Sequence, residues 1–248
     1  MGGSGVVVLG IFVADLAFRS GRMPMEGETI AGSAFTMGPG GKGSNQAVAA
    51  ARAGAAVTFV SRIGADAFGD VALDTWKAEG IATRVARVEG EATGAAFVYV
   101  NESSGENAII VVAGAGGGLA EADVDAAADA IAGARVFVTQ LEQPLAAARR
   151  GLEIARAAGV TTIFNPAPAE QIDDAVLALC DYVVPNESEA AALTGIPVSS
   201  LDDAALAGEI LVARGAGTAL ITLGETGVLL CESDRTVHIE PFAAGPVV

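Results

Sequence analysis

The sequence predicts an α/β fold built on a mostly parallel sheet with helices on both faces, and three observations carry that expectation. From residue 114 onward, short apolar runs alternate with helical stretches: helix 121–132, strand 135–139, helix 144–158, strand 160–164, helix 171–179, strand 182–184 and helix 202–214. Such alternation marks βα units, whose parallel strands need helical crossovers. Residues 5–12 form a continuous β-branched apolar run, too short for a typical helix and suited to a strand buried on both faces. Finally, Gly38-Pro39-Gly40-Gly41-Lys42-Gly43-Ser44-Asn45-Gln46 runs straight into the Ala-rich segment 47–54, a glycine loop feeding a helix N-terminus.

Taken in order, the first strand ends at Val13-Ala14-Asp15, which sets a carboxylate where open α/β sheets bind ligands; a turn aspartate capping the next segment explains it equally well. Residues 23–28 read as a loop and 29–36 as a strand, a β-excursion between the first strand and its crossover helix that can become a flap. Strand 57–61, helix 68–79 and the alternating stretch 83–88 follow. Strands 93–100 and 107–112 flank Asn101-Glu102-Ser103-Ser104-Gly105-Glu106, a hairpin signal, so the two excursions can pair into one small sheet. After the later strands come Gln140-Leu141-Glu142, Asn165-Pro166-Ala167-Pro168 and Pro185-Asn186-Glu187-Ser188-Glu189. Asn186 and Glu189 are spaced as an N-cap and its N3 glutamate, which local pattern alone favours over a ligand role. Residues 219–230 read as strand, polar glycine turn, strand; the turn Thr222-Leu223-Gly224-Glu225-Thr226-Gly227 suits nucleotide phosphates, held by backbone N–H and the Thr222 hydroxyl, or a plain hairpin. No helical pattern follows residue 214, and the apolar end at 242–248 reads as a stop within an element.

The glycine loop admits several readings. As a phosphate-binding Walker A loop it fails, because Gly43 stands where Ser or Thr should hold magnesium. Gly38, Gly40 and Gly43 satisfy G-x-G-x-x-G, yet the second strand runs into Ser61-Arg62 with no acidic residue to hold a ribose, so a dinucleotide-dependent oxidoreductase is a minor alternative. A turn with no ligand is another. Ser44 or Asn45 is positioned to cap the helix. The helix dipole suits an anionic or hydroxyl-rich ligand, and Lys42 is one of only two lysines, with Lys77.

Composition narrows the classes. A net charge of −16 with 14 scattered Lys and Arg argues against a nucleic-acid partner. No run of eighteen apolar residues marks a membrane span, and Met1-Gly2-Gly3-Ser4 is no signal segment, so a cytoplasmic location is the default expectation. Cys180 and Cys231 stand apart, as reduced buried thiols would. A single histidine, His238, excludes a histidine metal site or a Ser-His triad.

Together these segments resemble the ribokinase-like carbohydrate kinases, the PfkB family. The resemblance rests on the glycine loop through Ser61-Arg62-Ile63-Gly64-Ala65-Asp66-Ala67-Phe68-Gly69-Asp70, and on Gln140-Leu141-Glu142, Asn165-Pro166-Ala167-Pro168, Pro185-Asn186-Glu187-Ser188-Glu189 and Thr222 through Gly227, in order and spacing. It implies a single three-layer α/β/α domain over 1–248 with a small β-sheet lid from about 13–37 and 93–112. It also implies ATP-dependent phosphorylation of a sugar's primary hydroxyl. Asp15, Gly40, Gly41, Lys42, Gly43, Asn45 and Glu142 would line the sugar site, and Asn186, Thr222, Leu223, Gly224, Glu225, Thr226 and Gly227 the nucleotide site. Glu189 would act on Mg2+ through water, K+ is a possible activator, and a homodimer through the lid is implied. The ribose kinases of the family usually carry Asn two residues before the sugar aspartate; Val13 stands there, removing a polar partner for the sugar. Another sugar or a nucleoside (fructose, adenosine), or a non-catalytic sugar-binding homologue, are the alternatives. The family's Gly-Ala-Gly-Asp segment with the catalytic aspartate is expected past Val248, so the 248-residue chain by itself is expected to be inactive.

Overall fold

The computed structural model describes residues 5–242, which form two compact units, 5–127 with 142–147 and 128–141 with 148–242. The expectations placed on residues 1–4 and 243–248 lie outside the described residues.

The first unit holds seven strands: β1 (Val6–Leu9), β2 (Val13–Ser20), β3 (Ala34–Gly40), β4 (Val57–Gly64), β5 (Ala82–Val88), β6 (Thr93–Asn101) and β7 (Asn107–Gly114). β1, β4 and β5 pair in parallel with β4 in the middle, joined by α1 (Lys42–Arg52) and α2 (Ala67–Ala78). Their apolar runs are buried as parallel strands demand: Val7, Val8, Leu9, Phe59, Val60 and Ile63 are fully enclosed. Trp76 on α2 is the hub of this core. It packs edge-on against Phe12 at 5.8 Å and tilted against Phe59 at 4.8 Å, and its indole N–H donates to the buried Ser44 Oγ on α1 at 2.9 Å.

The remaining four strands make a separate sheet in the order β3-β2-β6-β7, with β2 and β6 parallel and the outer pairs antiparallel. The two β-excursions thus pair, as their sequence spacing suggests, but three local expectations change. β1 stops at Leu9 instead of Phe12, and Asp15 belongs to β2. The chain turns away there because the Ile11 carbonyl is taken by the Ser44 N–H of α1, and Val13 takes up new partners in Gly40 and Gly94. The strand expected at 29–36 lies instead at 34–40, so Gly38-Pro39-Gly40 is strand and not loop. Pro39 is tolerated because β3 is an edge strand, where a missing N–H breaks no ladder. α1 has no side-chain cap either: Gly41 is its N-cap residue, at φ 89°, while Ser44 is spent on Trp76 and Asn45 lies inside the first turn.

In the second unit, β8 (Val136–Thr139), β9 (Thr161–Phe164), β10 (Tyr182–Val183) and β11 (Thr218–Thr222) run parallel in sequence order, and β12 (Val228–Cys231) and β13 (Thr236–Ile239) extend the sheet antiparallel. The helix expected over 121–132 divides into α3 (Glu121–Asp125), in the first unit, and α4 (Ala128–Ala132), because the Ala127 N–H tightens onto Val124, three residues back, and closes the first of them. α5 (Leu145–Ala157), α6 (Asp174–Leu177), α7 (Glu187–Thr194) and α8 (Leu201–Ala213) follow. α8 lies on the β11–β12 hairpin so closely that a Cβ on Gly208 would come within 2.3 Å of Cys231 Sγ. Arg214, just after α8, ties three segments together through Leu193 O at 2.6 Å, Ile172 O at 2.7 Å and Asp174 at 2.7 Å. Both cysteines are buried free thiols, and burial above all pushes Cys180 up to about 12. Among the described residues no helix is long and apolar enough to cross a membrane.

Candidate functional site

The residues named for a sugar site fall together in the first unit. β2 carries Asp15 half-buried on the same face as Val13, and β3 returns antiparallel so that Val13 faces Gly40. Gly40 carries no side chain because Asp15 fills the space: a Cβ there would stand 2.3 Å from the carboxylate. The following Gly41 is equally confined, since its Cβ would come within 2.5 Å of the Ile11 carbonyl and its φ of 89° favours glycine on its own account. The chain therefore passes under Asp15 as bare backbone and enters α1 at Lys42. There the Lys42 N–H donates to Glu142 Oε2 at 2.6 Å, across 100 residues of sequence. Gly43 is buried in the first turn, while Asn45 is exposed on it. Val13 is buried among Ile11, Ala96, Val98 and Ala113, so the surface beside Asp15 is apolar.

Two carboxylates thus flank a backbone N-terminus. Both are held above the usual carboxylate range: Asp15 by burial, and Glu142 by burial first, which the Lys42 N–H and charge oppose and the charge of Asp15 reinforces. Paired acceptors of this kind suit a ligand that brings hydroxyl donors and no negative charge of its own.

The residues named for a nucleotide lie in the second unit, where they contact one another. Asn186 caps α7 with the full reciprocal box: its Oδ1 accepts from the Glu189 N–H at 2.8 Å and its own N–H donates to Glu189 Oε2 at 2.9 Å. The capping box that the local pattern favours is therefore formed, and it occupies one oxygen of the largely buried Glu189. Asn186 is also bridged to Thr222, whose N–H bonds Pro185 O at 2.9 Å. The hairpin forms too, with Thr222 opposite Val228. Leu223 and Gly227 close the turn on each other at 2.8 Å, and Thr226 and Gly227 bond back to Leu223 and Gly224. The expected cradle of backbone N–H groups is largely spent inside the turn, leaving its outer surface and side chains to meet a ligand. Gly227 is fixed by β13, where a Cβ would stand 2.2 Å from Ile239 O, and His238 Nε2 meets Thr226 O at 2.7 Å. A small cleft of about 110 Å³ opens beside the turn between Leu223, Thr226, Glu187 and Leu201.

Sequence reasoning missed the tie between Asp66 and Thr93 at the start of β6, and the Ser44–Trp76 bond. The only local signal was the N-cap spacing from Asp66 to Gly69.

This site geometry coincides with a family match over nearly the whole sequence: residues 4–248 match the pfkB family carbohydrate kinases. The chain belongs to the pfkB family. It is 42% identical over 246 residues to the ribokinase of Mus musculus, covering 98% of this chain and 76% of that protein. It is 36% identical over 244 residues to the deoxyribokinase of Salmonella typhi, covering 98% and 79%. Among solved structures, the ribokinase of Arabidopsis thaliana complexed with ribose and ATP superposes with a TM-score of 0.87 at 28% identity, covering 97% of this chain and 78% of that one. An adenosine kinase from Sinorhizobium meliloti, at 20% identity and TM-score 0.79, shares the fold.

If Asp15 and Glu142 accept ligand hydroxyls as carboxylates, sugar affinity should fall as pH drops through a range above ordinary carboxylate titration. Glu142→Gln keeps an acceptor for the Lys42 N–H and removes the charge. A carboxyl whose folded pKa is raised loses stability as pH climbs from its unfolded to its folded value, so the Gln variant should be at least as stable as the parent at pH 7, any advantage vanishing below the unfolded value. Its sugar affinity should drop about tenfold. Melting curves against pH and titration calorimetry check both; a large loss of stability at pH 7 would contradict the electrostatic reading.

Proposed function

We propose that this pfkB-family carbohydrate kinase transfers the γ-phosphoryl group of ATP to the primary hydroxyl of a pentose, ribose first. The observation that carries the reading is the convergence of Asp15 and Glu142 on the bare backbone of Gly40, Gly41 and Lys42. Asp15 and Glu142 would accept the ring hydroxyls, the Gly41–Lys42 backbone and Gly43 would let the sugar approach the helix N-terminus, and exposed Asn45 would offer an amide. Held there, the sugar presents one hydroxyl in a fixed direction, and alignment is most of what phosphoryl transfer requires.

The second unit would take the nucleotide. Asn186 and the turn from Thr222 through Leu223, Gly224, Glu225 and Thr226 to Gly227 would contact ATP. The oxygen of Glu189 left outside the capping box would reach the phosphates' Mg2+ through water, an ion that usually keeps several waters and is carried mainly by phosphate. When bound, Mg2+ supplies charge neutralisation at the phosphates; K+ activation is carried from the family resemblance alone. No described residue is assigned as the base that takes the hydroxyl proton. The two units working as one domain, with the β3-β2-β6-β7 sheet as its lid, belong to the proposal.

A 2-deoxypentose is the second reading. Val13 beside Asp15 offers a hydroxyl no partner, and a deoxyribokinase is among the relatives at 36% identity. Titration calorimetry with ribose, 2-deoxyribose, fructose and adenosine separates them: pentose binding abolished by Asp15→Ala is expected, at least a hundredfold above adenosine. Binding unchanged by that substitution would sink the reading.

The lid also suggests a second copy of this chain as partner. The face opposite Asp15 exposes Phe18, Phe35, Met37 and Ile110, and β7 is an open edge. Sedimentation of the chain should give a dimer that Ile110→Lys dissociates, and a monomer before substitution would contradict this.

A further inference from the structure

The sheet that carries Asp15 is held at its base by a bond pair outside the sugar site. Thr93, the first residue of β6, is 3% exposed. Its N–H donates to Asp66 Oδ2 at 2.7 Å, its hydroxyl donates to Asp66 Oδ1 at 2.7 Å, and the same hydroxyl accepts the Gly64 N–H at 2.9 Å. Asp66 is in turn fixed by capping α2 through the Gly69 N–H at 2.8 Å. One carboxylate therefore joins a helix N-terminus to the start of a lid strand. Around this point backbones touch: a Cβ on Gly64 would come 2.3 Å from Glu91 O, and one on Gly114, at φ 53°, would come 2.3 Å from Ala92 O. The residue after Thr93 is Gly94, paired with Val13, and two further on Ala96 is paired with Asp15.

The strand β2 hangs from β6 along its whole length, so whatever fixes the foot of β6 fixes the height of Asp15 above Gly40. We propose that Asp66 and Thr93 are positioning residues for the sugar site, clamping β6 to the N-terminus of α2 so that Asp15 stays in register over α1. This rests on the sugar-site reading above. The clamp is strong in the way its purpose requires: both bonds run to an ionised acceptor, the third member is a buried amide, and loss of the hydroxyl leaves that amide unsatisfied.

Thr93→Val keeps the shape and removes the hydroxyl, Thr93→Ser restores it, and Asp66→Asn keeps a good helix cap while turning a donor toward Thr93. In the full chain, Thr93→Val should weaken ribose binding about tenfold, leave ATP binding unchanged and be rescued by Thr93→Ser to within twofold. Hydrogen exchange of Gly64 and of residues 15–17 and 96–98 should speed up selectively, with residues 57–63 of β4 and α8 still protected; Asp66→Asn should do the same at residues 15–17 and 96–98 if Thr93→Val fails to fold. Ribose affinity unchanged in Thr93→Val, or ribose and ATP affinities falling together with protection lost throughout, would overturn the proposal. Should the parent chain bind no pentose, the sugar reading fails by itself, and the exchange pattern still decides the clamp: loss confined to the lid and Gly64 supports it, and uniform or absent loss overturns it.

Discussion

Three segments cross within backbone distance at Gly40 and Gly41, and the first unit is arranged around that crossing. The carboxylate of Asp15 occupies the volume a side chain on Gly40 would need, and the Ile11 carbonyl occupies the volume one on Gly41 would need. At Gly41 the close approach sets the link from β1 to β2 against the start of α1 without an intervening side chain. It is also what exposes the Lys42 N–H to Glu142. An alanine at either glycine would push apart the groups whose proximity defines the site.

The electrostatics follow from that compactness. Two acidic groups near one helix N-terminus, both pushed up chiefly by burial, form a poor anion site and a good acceptor pair for hydroxyls. The second unit is built otherwise. Its capping box and closed turn satisfy most of their own hydrogen bonds, so what it presents is chiefly its outer surface and side chains. On the proposed assignment the first unit takes a neutral polyol and the second a charged nucleotide, and the two units differ in the sense those two tasks demand.

Much of this architecture was legible in the residues. The parallel strands announced themselves because strands buried on both faces must be continuous apolar runs, and Phe59 and Phe164 sit where such runs put them. The hairpin of β6 and β7 and the box of Asn186 with Glu189 were legible because they are local. What escaped reading was non-local. Nothing in Val13-Ala14-Asp15 reveals that it leaves the first sheet for a second one, because its partners Gly40 and Gly94 are distant in sequence. Pro39 disguised an edge strand as a loop. Ser44 looked like a cap and is instead the acceptor for Trp76, a bond between two helices that no spacing rule encodes. The Asp66–Thr93 tie spans 27 residues and was invisible for the same reason.

A crystal structure of the chain with a pentose bound tests the central claim most directly. Ring hydroxyls should lie within hydrogen-bond distance of both Asp15 and Glu142, with the sugar resting on the Gly40–Lys42 backbone. Pentose density seated elsewhere, or touching neither carboxylate, would contradict it.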